Sequence, residues 1–434
     1  MPDSVTSRPQ ATASPRTHRL PVAVFLVGII TLAFNLRTAI TSLPPLFPEL
    51  ATQLHLSPAG ISLLAATPVL CFAAFSGSGA PLSRWLGEER VLLAALVLLA
   101  AGLALRGAAP HLLLFPGTVL ASAAIALMNV LLPSLIKRRD PARAGWLIGI
   151  YLLSMSAGAI LASLLAVPMF TASGGSVPLV LAVWVLPAIA ATVVWLPQLR
   201  FRTAPAGLAA PRPGSQGRLG EHSQPRLKVT RYPLTWQVMA YMGLQSLVYY
   251  AALSWLPTLF RDRGVSAVQA GTLLALMQLG GAGTSLLVPV LAHRTRDQRW
   301  LAGVVVAVTA AGLAGCAFAP VGGAVGWVLL MGAGQGAALG LAIYFTMARA
   351  PDPVAAASLS AFAQGAGYLV AAAGPLMVGV PAHGDRRLDR PDRCGARRAG
   401  RPVRRRDAGR PAARARRWIE HIAAGSVRRV HRAK

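Results

Sequence analysis

Long apolar stretches alternate with short polar segments along most of this chain. Eleven of these stretches approach or exceed the roughly 20 residues that a helix needs to cross a bilayer. They lie at about 20–56, 57–80, 91–107, 112–136, 146–170, 177–197, 234–260, 267–292, 300–319, 322–348 and 355–380. The pattern predicts an all-α polytopic membrane protein with eleven spans, because only helices satisfy their own backbone in hydrocarbon in this way. The first helix is expected to end near Pro44 and Pro45.

The composition supports a membrane protein and gives no sign of a cofactor. Hydrophobic residues make up 54% of the chain and charged residues 13%, whereas a soluble domain carries about a quarter charged residues. The three cysteines, Cys71, Cys316 and Cys394, lie far apart and match no metal-binding or redox spacing. Neither a cofactor nor a metal is therefore expected.

Polar segments divide the chain into two halves. The N-terminal tail covers residues 1–19, and a linker rich in Pro, Gly and Arg covers 198–233. They leave a six-helix half at 20–197 and a half with five spans at 234–380. Of the loop Lys and Arg residues up to 380, 20 lie on the side of the tail and linker, and three lie opposite, at Arg106, Arg261 and Arg263. This bias predicts a cytoplasmic N-terminus in a bacterial inner membrane.

The two halves repeat each other weakly. Five pairs of residues or dipeptides match in order, at offsets between 208 and 212. The matches are Pro45 with Pro257, Leu63–Leu64 with Leu273–Leu274, Pro81 with Pro289, Arg90 with Arg299, and Asp140–Pro141 with Asp352–Pro353. Two parallel repeats related by an axis along the membrane normal are the arrangement of one large class of secondary transporters.

Two segments carry a family resemblance. The sequence FNLRTAITSLPPLFPEL at 34–50, followed by APLSRWLGEERVLL at 80–93, resembles the cyanate permease branch of the major facilitator superfamily. The resemblance covers about residues 20–380. It implies a major facilitator fold of two six-helix halves that transports cyanate or other small polar compounds such as nitroimidazoles. In the second segment Gly79 and Arg84 fit the superfamily pattern, whereas Ser83 stands where an aspartate is usual.

A twelfth span is missing from its expected place near 389–409. Residues 390–410 are RPDRCGARRAGRPVRRRDAGR, which no bilayer accepts. Many arginine codons have the form CGN, where N is any base. When two of them follow each other and are read one base later, they give GNC, which encodes Val, Ala, Gly or Asp. We therefore interpret the basic tail at 381–434 as a possible frameshift product that replaces the twelfth helix. The alternatives are a disordered basic tail and a patch that binds nucleic acid or anionic lipid.

The tail also accounts for much of the net charge of +28. From Ala382 onward it holds 18 of the 42 Lys and Arg residues but only 5 of the 14 Asp and Glu residues. The membrane-spanning body is only moderately basic. The expected partners are therefore a small-molecule substrate and the lipid bilayer, with no nucleic acid, and the chain is expected to be a monomer.

Arg37 and Asn35 in the first span are the leading candidates for the substrate site. A guanidinium within a bilayer should face a protein interior or a water-filled cavity, so Arg37 is expected to contact substrate or act in gating; an interhelical bond is the alternative. Asn35 lies two residues away, about 200 degrees round the helix, and is expected either in the site or bonded to a neighbouring helix. At the repeat offset of 212, Arg37 corresponds to Tyr249, which shares a helix face with Gln245.

Six further polar residues in predicted cavity-lining spans are weaker candidates. The resemblance implies that the first, fourth, seventh and tenth spans line the cleft, with contributions from the second, fifth, eighth and eleventh. The candidates in these spans are Asn129, Tyr151, Gln278, Gln335, Tyr344 and Gln364.

The absence of acids from the spans narrows the function. Glu49 lies at an outer end, the other Asp and Glu residues are assigned to loops, and no phosphate-binding GxxxxGK[ST] motif occurs. A fixed cation without a fixed anion favours an anionic or neutral polar solute. No paired catalytic constellation is visible, so the chain is not expected to be an enzyme.

The predicted function is secondary active or facilitative transport of a small anionic or polar, cyanate-like solute by alternating access. Two alternatives stay open. One is a frameshifted transporter without activity, and the other is efflux of small neutral compounds such as nitroimidazoles.

Overall fold

The computed structural model describes residues 22–200, 232–295, 297–349 and 353–379, and within them the protein is helical. The helices of the N-terminal half are α1 (Val22–Thr41), α2 (Phe47–Gln53), α3 (Pro58–Phe75), α4 (Gly79–Leu86), α5 (Glu88–Ala108), α6 (Pro110–Arg139), α7 (Ala144–Ala172), α8 (Val177–Val183) and α9 (Val185–Trp195). The helices of the C-terminal half are α10 (Pro233–Asp262), α11 (Ala267–Arg294), α12 (Arg299–Phe318), α13 (Ala324–Ala348) and α14 (Pro353–Gly379).

Each of the eleven predicted apolar stretches contains a helix. Nine helical segments within the described residues are long and apolar enough to cross a membrane, and α10 and α14 lie beside them in the same bundle. Helix α1 ends at Thr41 and a 3-10 turn follows at Pro44–Leu46, so the predicted end is confirmed. The sixth stretch is broken into α8 and α9 at Trp184, because Pro187 lacks the N–H that would continue the helix.

Several charged residues that the sequence assigns to loops lie within helices, and those assignments are wrong. Glu88 and Glu89 form the first turn of α5, next to Gly87, whose φ of 85° turns the chain sharply. Carboxylates are favoured there by the partial positive charge of a helix N-terminus. Arg261 lies in the last turn of α10, where a cation is favoured.

Arg106 is the clearest case, because it is buried inside α5 with only 1% of its surface exposed. Its Nη1 donates to the carbonyl oxygen of Ala39 at 2.9 Å, near the C-terminal end of α1. The carbonyls of a last helical turn lack partners within the helix, so this arginine satisfies one of them. Arg106 therefore belongs to the packing of the bundle and not to an exposed loop.

The two halves meet along two helix pairs, α3 with α14 and α7 with α11. We call the end of the bundle at which α9 leads to Arg200 and α10 begins the linker end, and the opposite end the far end. Val24, at the start of α1, accepts a hydrogen bond from Gln198 at the linker end, at 3.0 Å.

At the far end the halves are sealed against each other. The 3-10 turn at Pro44–Leu46 contacts α10 and α11, and the ring of Phe47 lies 6.1 Å from that of Trp255. Glu49 and Arg261 form an ion pair across the halves at 2.7 Å. The far end is therefore closed by apolar packing together with one charged contact.

Helices within each half approach so closely that glycine is required at the contacts. A Cβ on Gly158 of α7 would lie 2.1 Å from the carbonyl oxygen of Phe34 in α1, and a Cβ on Gly332 of α13 would lie 2.0 Å from that of Met277 in α11. Small residues allow such close approach between membrane helices. The pairs α1–α7 and α11–α13 are thus joined backbone to backbone.

The segments 1–21, 201–231 and 380–434 lie outside the described residues. The proposed N-terminal tail, most of the linker and the whole basic tail fall there. The loss of the twelfth helix and the frameshift therefore stay predictions.

Candidate functional site

A cavity of about 90 Å³ lies between the two halves near the middle of the bundle. Side chains of α1, α7, α10, α11, α13 and α14 line it. Its polar and charged lining residues are Arg37, Ser156, Gln245, Ser246, Tyr249, Tyr250, Gln278, Ser285, Gln335 and Tyr368. Five of the ten residues predicted from the sequence are among them: Arg37, Gln245, Tyr249, Gln278 and Gln335.

The cavity extends from Arg37 toward the linker end. On the far side of Arg37, α1 is buried from Thr38 to its end, and the sealed contacts of the halves follow. On the other side the lining continues along half-buried residues such as Leu152, Ser285 and Leu339. The arrangement leaves the cavity reachable from the linker end and closed at the far end.

Arg37 is placed at the closed end of the cavity by α1, whose other residues at this level are buried in the core of the N-terminal half. Its Nη1 donates to the hydroxyl of Tyr250 at 3.5 Å. The guanidinium carbon lies 5.5 Å from the centre of the Tyr249 ring, within the range of a cation–π contact. Both tyrosines belong to α10 in the C-terminal half. Arg37, the only charged residue in the lining of the described cavity, therefore contacts the opposite half of the bundle.

The tyrosines form part of an aromatic cluster beneath the guanidinium. The rings of Tyr249 and Tyr250 meet edge to face at 5.1 Å, and Tyr250 meets Tyr368 at 6.5 Å. Phe72 of α3 packs against Tyr368 at 5.6 Å. These edge-to-face contacts hold the phenol groups in fixed orientations. The cluster gives the cavity a rigid aromatic wall.

Amide groups complete the polar lining. Gln278 Nε2 lies 3.0 Å from the Tyr249 hydroxyl, to which it donates, and Gln245 Nε2 donates to Ser246 Oγ at 2.7 Å. Gln335 is only 4% exposed, and its Oε1 has no hydrogen-bond partner among the described residues. An acceptor buried without a partner is costly, so Gln335 is suited to accept a hydrogen bond from a bound solute.

No Asp or Glu lines the cavity as far as the structure describes it. Glu49 and Glu88 instead pair with Arg261 and Arg138, at 2.7 Å and 2.9 Å, near the ends of the bundle. The cavity therefore carries one fixed positive charge surrounded by neutral hydrogen-bonding groups. Such a site attracts anions and acceptor-rich polar molecules and disfavours cations.

Asn35 lies outside the cavity lining. It is 1% exposed, and its Nδ2 donates to the carbonyls of Thr31 at 2.8 Å and Pro187 at 3.0 Å. Pro187 lies in α9, so Asn35 forms the bond to a neighbouring helix that was its alternative role.

The other four predicted residues also lie away from the lining. Tyr151 donates to Asn129 Oδ1 at 3.3 Å, which joins α7 to α6 inside the N-terminal half. The ring of Tyr344 packs at 6.2 Å from that of Phe345. Gln364 donates to Ser360 within α14, at 2.9 Å.

Sequence reasoning missed Tyr250 and Tyr368. Tyr250 follows Tyr249 directly in the sequence, and the repeat offset of 212 from Arg37 selected Tyr249 and not Tyr250. Tyr368 follows Gln364 at the same spacing of four that separates Tyr249 from Gln245, and this shared spacing is the signal that could have found it.

The sequence profile of the Major Facilitator Superfamily matches residues 26–375, which include every residue of the cavity lining. The chain belongs to the major facilitator superfamily. It is a multi-pass membrane transporter and not an enzyme.

Two curated relatives from Escherichia coli (strain K12) align along most of this transporter. A 2-nitroimidazole transporter is 39% identical over 356 residues, which cover 82% of this chain and 87% of that protein. The cyanate transport protein CynX is 29% identical over 356 residues, which cover 82% and 89%. The resemblance to the cyanate permease branch is thereby confirmed.

Solved structures share the fold at low sequence identity. A bacterial homologue of the human lysosomal transporter Spinster, in an inward-facing and unoccupied conformation, matches with a TM-score of 0.63, 20% identity, and coverage of 82% of this chain and 81% of that one. A D-xylose–proton symporter matches with a TM-score of 0.63, 17% identity, and coverage of 82% and 89%. The predicted all-helical major facilitator fold is confirmed.

Proposed function

We propose that this transporter moves a small planar anion, such as cyanate, across the bacterial inner membrane by alternating access. The observation that carries the proposal is Arg37, a lone cation at the closed end of a cavity whose described lining contains no acid. A linear or planar anion pairs with the guanidinium and accepts hydrogen bonds from its N–H groups. Tyr250 and Gln278 supply further donors at the same level.

A small neutral heteroaromatic solute, such as a 2-nitroimidazole, is the second candidate. The aromatic wall formed by Tyr249, Tyr250 and Tyr368 offers ring faces and edges for stacking. The unpartnered Gln335 Oε1 matches a ring N–H donor, while a nitro group is an acceptor for Arg37. Cyanate has no N–H, so Gln335 favours the second candidate over the first.

Alternating access is supported by the way in which the halves meet. The far end is sealed and the cavity is reachable from the linker end, while glycine contacts join helices within each half. Rocking of one half against the other closes one end as it opens the other. We place the linker end in the cytoplasm, because Lys and Arg are concentrated there, and expect a monomer to suffice.

Uptake measurements test the proposal directly. Cells that express the chain as printed, or a form with the frame restored after residue 384, are given labelled cyanate or labelled 2-nitroimidazole. We expect one of the two solutes to enter at a rate well above that of cells without the transporter, and Arg37→Ala to abolish the excess. Uptake of neither solute by either form, with both inserted in the membrane, would reject the proposal. Activity of the restored form alone would identify the printed chain as an inactive frameshift product.

A further inference from the structure

The fixed charge of the cavity lacks a protein counter-ion. Arg37 contacts only neutral groups among the described residues, namely the hydroxyl of Tyr250 and the ring of Tyr249. Phenol oxygens and π-faces accept hydrogen bonds and attract a cation weakly, but they do not neutralise it. While the cavity is open to the linker end, water solvates the guanidinium and dissolved anions can pair with it.

The transport cycle must pass through a state in which this charge is enclosed. Because the far end is sealed beyond Arg37, the linker end has to close before the far end opens. The guanidinium is then surrounded by the aromatic cluster, the amides of Gln278 and Gln335, and the apolar residues of α7. An unpaired charge enclosed in a membrane protein is costly, whereas a charge paired with a bound anion is much less so.

A carboxylate in the lining would remove this constraint, because it could pair with Arg37 when the cavity is empty. None of the described acids lines the cavity, and two of them are already paired near the ends of the bundle, Glu49 with Arg261 and Glu88 with Arg138. The empty carrier therefore faces a higher barrier to enclosure than the loaded carrier does. A ligand can shift a conformational equilibrium only by binding the two states unequally, and here the anion binds the enclosed state better.

We infer that this transporter is an obligate anion exchanger, whose halves reorient at a useful rate only with an anion bound to Arg37. The inference rests on the proposed function, namely that the cavity binds an anion. One monovalent anion leaves for each one that enters, so no net charge crosses the membrane in a full cycle. No proton carrier in the lining is needed for this cycle.

Exchange and net flux are compared in vesicles that contain the purified full chain, in both the printed and the frame-restored forms. One set is loaded with unlabelled cyanate and the other with gluconate, and labelled cyanate is added outside. After subtraction of the leak in protein-free vesicles, we expect entry into cyanate-loaded vesicles to be at least about 100-fold faster. That ratio means that the empty carrier reorients about 100-fold more slowly than the carrier with a bound anion.

The outcomes separate the inference from the function on which it rests. Equal entry into the two sets of vesicles would overturn obligate exchange and leave cyanate transport intact. A faster net entry driven by an imposed pH gradient would overturn it in favour of proton coupling. Entry into neither set, with inserted protein of either form, would instead reject the proposed function.

Membrane voltage supplies a second measurement. Exchange of one monovalent anion for another moves no net charge, so a potassium diffusion potential of either sign should leave the exchange rate unchanged. Net transport of an anion responds to voltage, by about 2.3 kcal/mol per charge per 100 mV. An exchange rate that changes with the sign of the potential would overturn the inference.

Discussion

The two halves of the bundle contribute different chemistry to one cavity. From the N-terminal half come the single charge, Arg37, and a mostly apolar wall along α7 that includes Leu152 and Met155. The C-terminal half supplies the neutral hydrogen-bonding groups, carried on α10, α11, α13 and α14. Equivalent positions of the weak sequence repeat therefore differ in function, because Tyr249 occupies the position in the second half that Arg37 occupies in the first.

This difference between the halves assigns selection by charge to the N-terminal half and discrimination among solutes of the same charge to the C-terminal half. A charge acts over several ångströms and selects solutes by sign, whereas hydrogen bonds depend on geometry and discriminate between solutes of the same sign. We expect substitutions in the N-terminal half to abolish transport and substitutions in the C-terminal half to change the preference among solutes.

Arg37→Glu reverses the charge that the N-terminal half contributes. Hydrogen bonds to charged groups are worth about 1.5–3 kcal/mol, and repulsion of the anion adds to their loss, so we expect anion uptake to fall at least about 100-fold. The initial rate of labelled cyanate uptake checks this. Arg294→Glu is the matched control, because Arg294 is exposed at the end of α11, outside the cavity. Comparable losses in the two variants would show that the effect is not specific to the cavity.

Gln335→Leu removes the acceptor that has no partner within the described structure. A neutral hydrogen bond contributes about 0.5–1.5 kcal/mol, so binding of 2-nitroimidazole, which carries a ring N–H, should weaken by roughly 3- to 10-fold. Cyanate, without an N–H, should bind about as well as before. Competition of each solute against a labelled substrate measures the two affinities. Equal weakening of both would contradict a role in discrimination.

Tyr249→Phe removes the hydroxyl that bonds Gln278 and keeps the ring beneath Arg37. We expect the apparent affinity for solute to fall about 2- to 5-fold, because the freed amide loses the orientation that the hydroxyl imposes. Tyr344→Phe is the same change outside the cavity and should leave uptake unaltered. Concentration dependence of the uptake rate distinguishes the two variants, and a larger effect at Tyr344 would contradict the assignment of the cavity.

Glu49→Gln weakens the ion pair that joins the halves at the far end. Both side chains are partly exposed, so the pair should contribute only about 0.5–1 kcal/mol and its loss should raise the population open at the far end roughly 2- to 5-fold. Labelling of Ser42→Cys by a membrane-impermeant reagent reports that opening, because Ser42 lies at the far end and is only 2% exposed. Arg261→Gln should have the same effect, and the double variant should add little to either single change.

The span pattern could be predicted from the sequence because the bilayer imposes it. A helix needs a fixed apolar length to cross, and this requirement is local along the chain. Helix ends were less predictable: Glu88 lies in α5 although it precedes the predicted apolar stretch at 91–107, and Arg106, which the sequence assigns to a loop, lies within the helix. Hydrogen bonding and charge–dipole contacts extend a helix past the hydrocarbon limit, and Arg106 finds its carbonyl on another helix.

Half of the predicted site residues line the cavity, and the other half do not, for a physical reason. A polar side chain in a membrane span must be satisfied, but a backbone carbonyl of a neighbouring helix serves as well as a solute. The Nδ2 of Asn35 donates to such a carbonyl, that of Pro187, and Tyr151 donates instead to the side-chain oxygen of Asn129, both inside the N-terminal half. Helix rotation decides between the two outcomes, and it depends on long-range packing that residue type alone does not reveal.

The close glycine contacts limit how this transporter can be redesigned. A methyl group at Gly158 or Gly332 meets a backbone carbonyl, which no rotamer change relieves. A mutant library that seeks new substrates should therefore leave these positions fixed and vary residues such as Gln335 and Gln278. Substrate preference can then be changed without disturbing the coupled movement of the helices. Preference depends on side chains that face the cavity, whereas the coupled movement depends on glycine positions where no side chain fits.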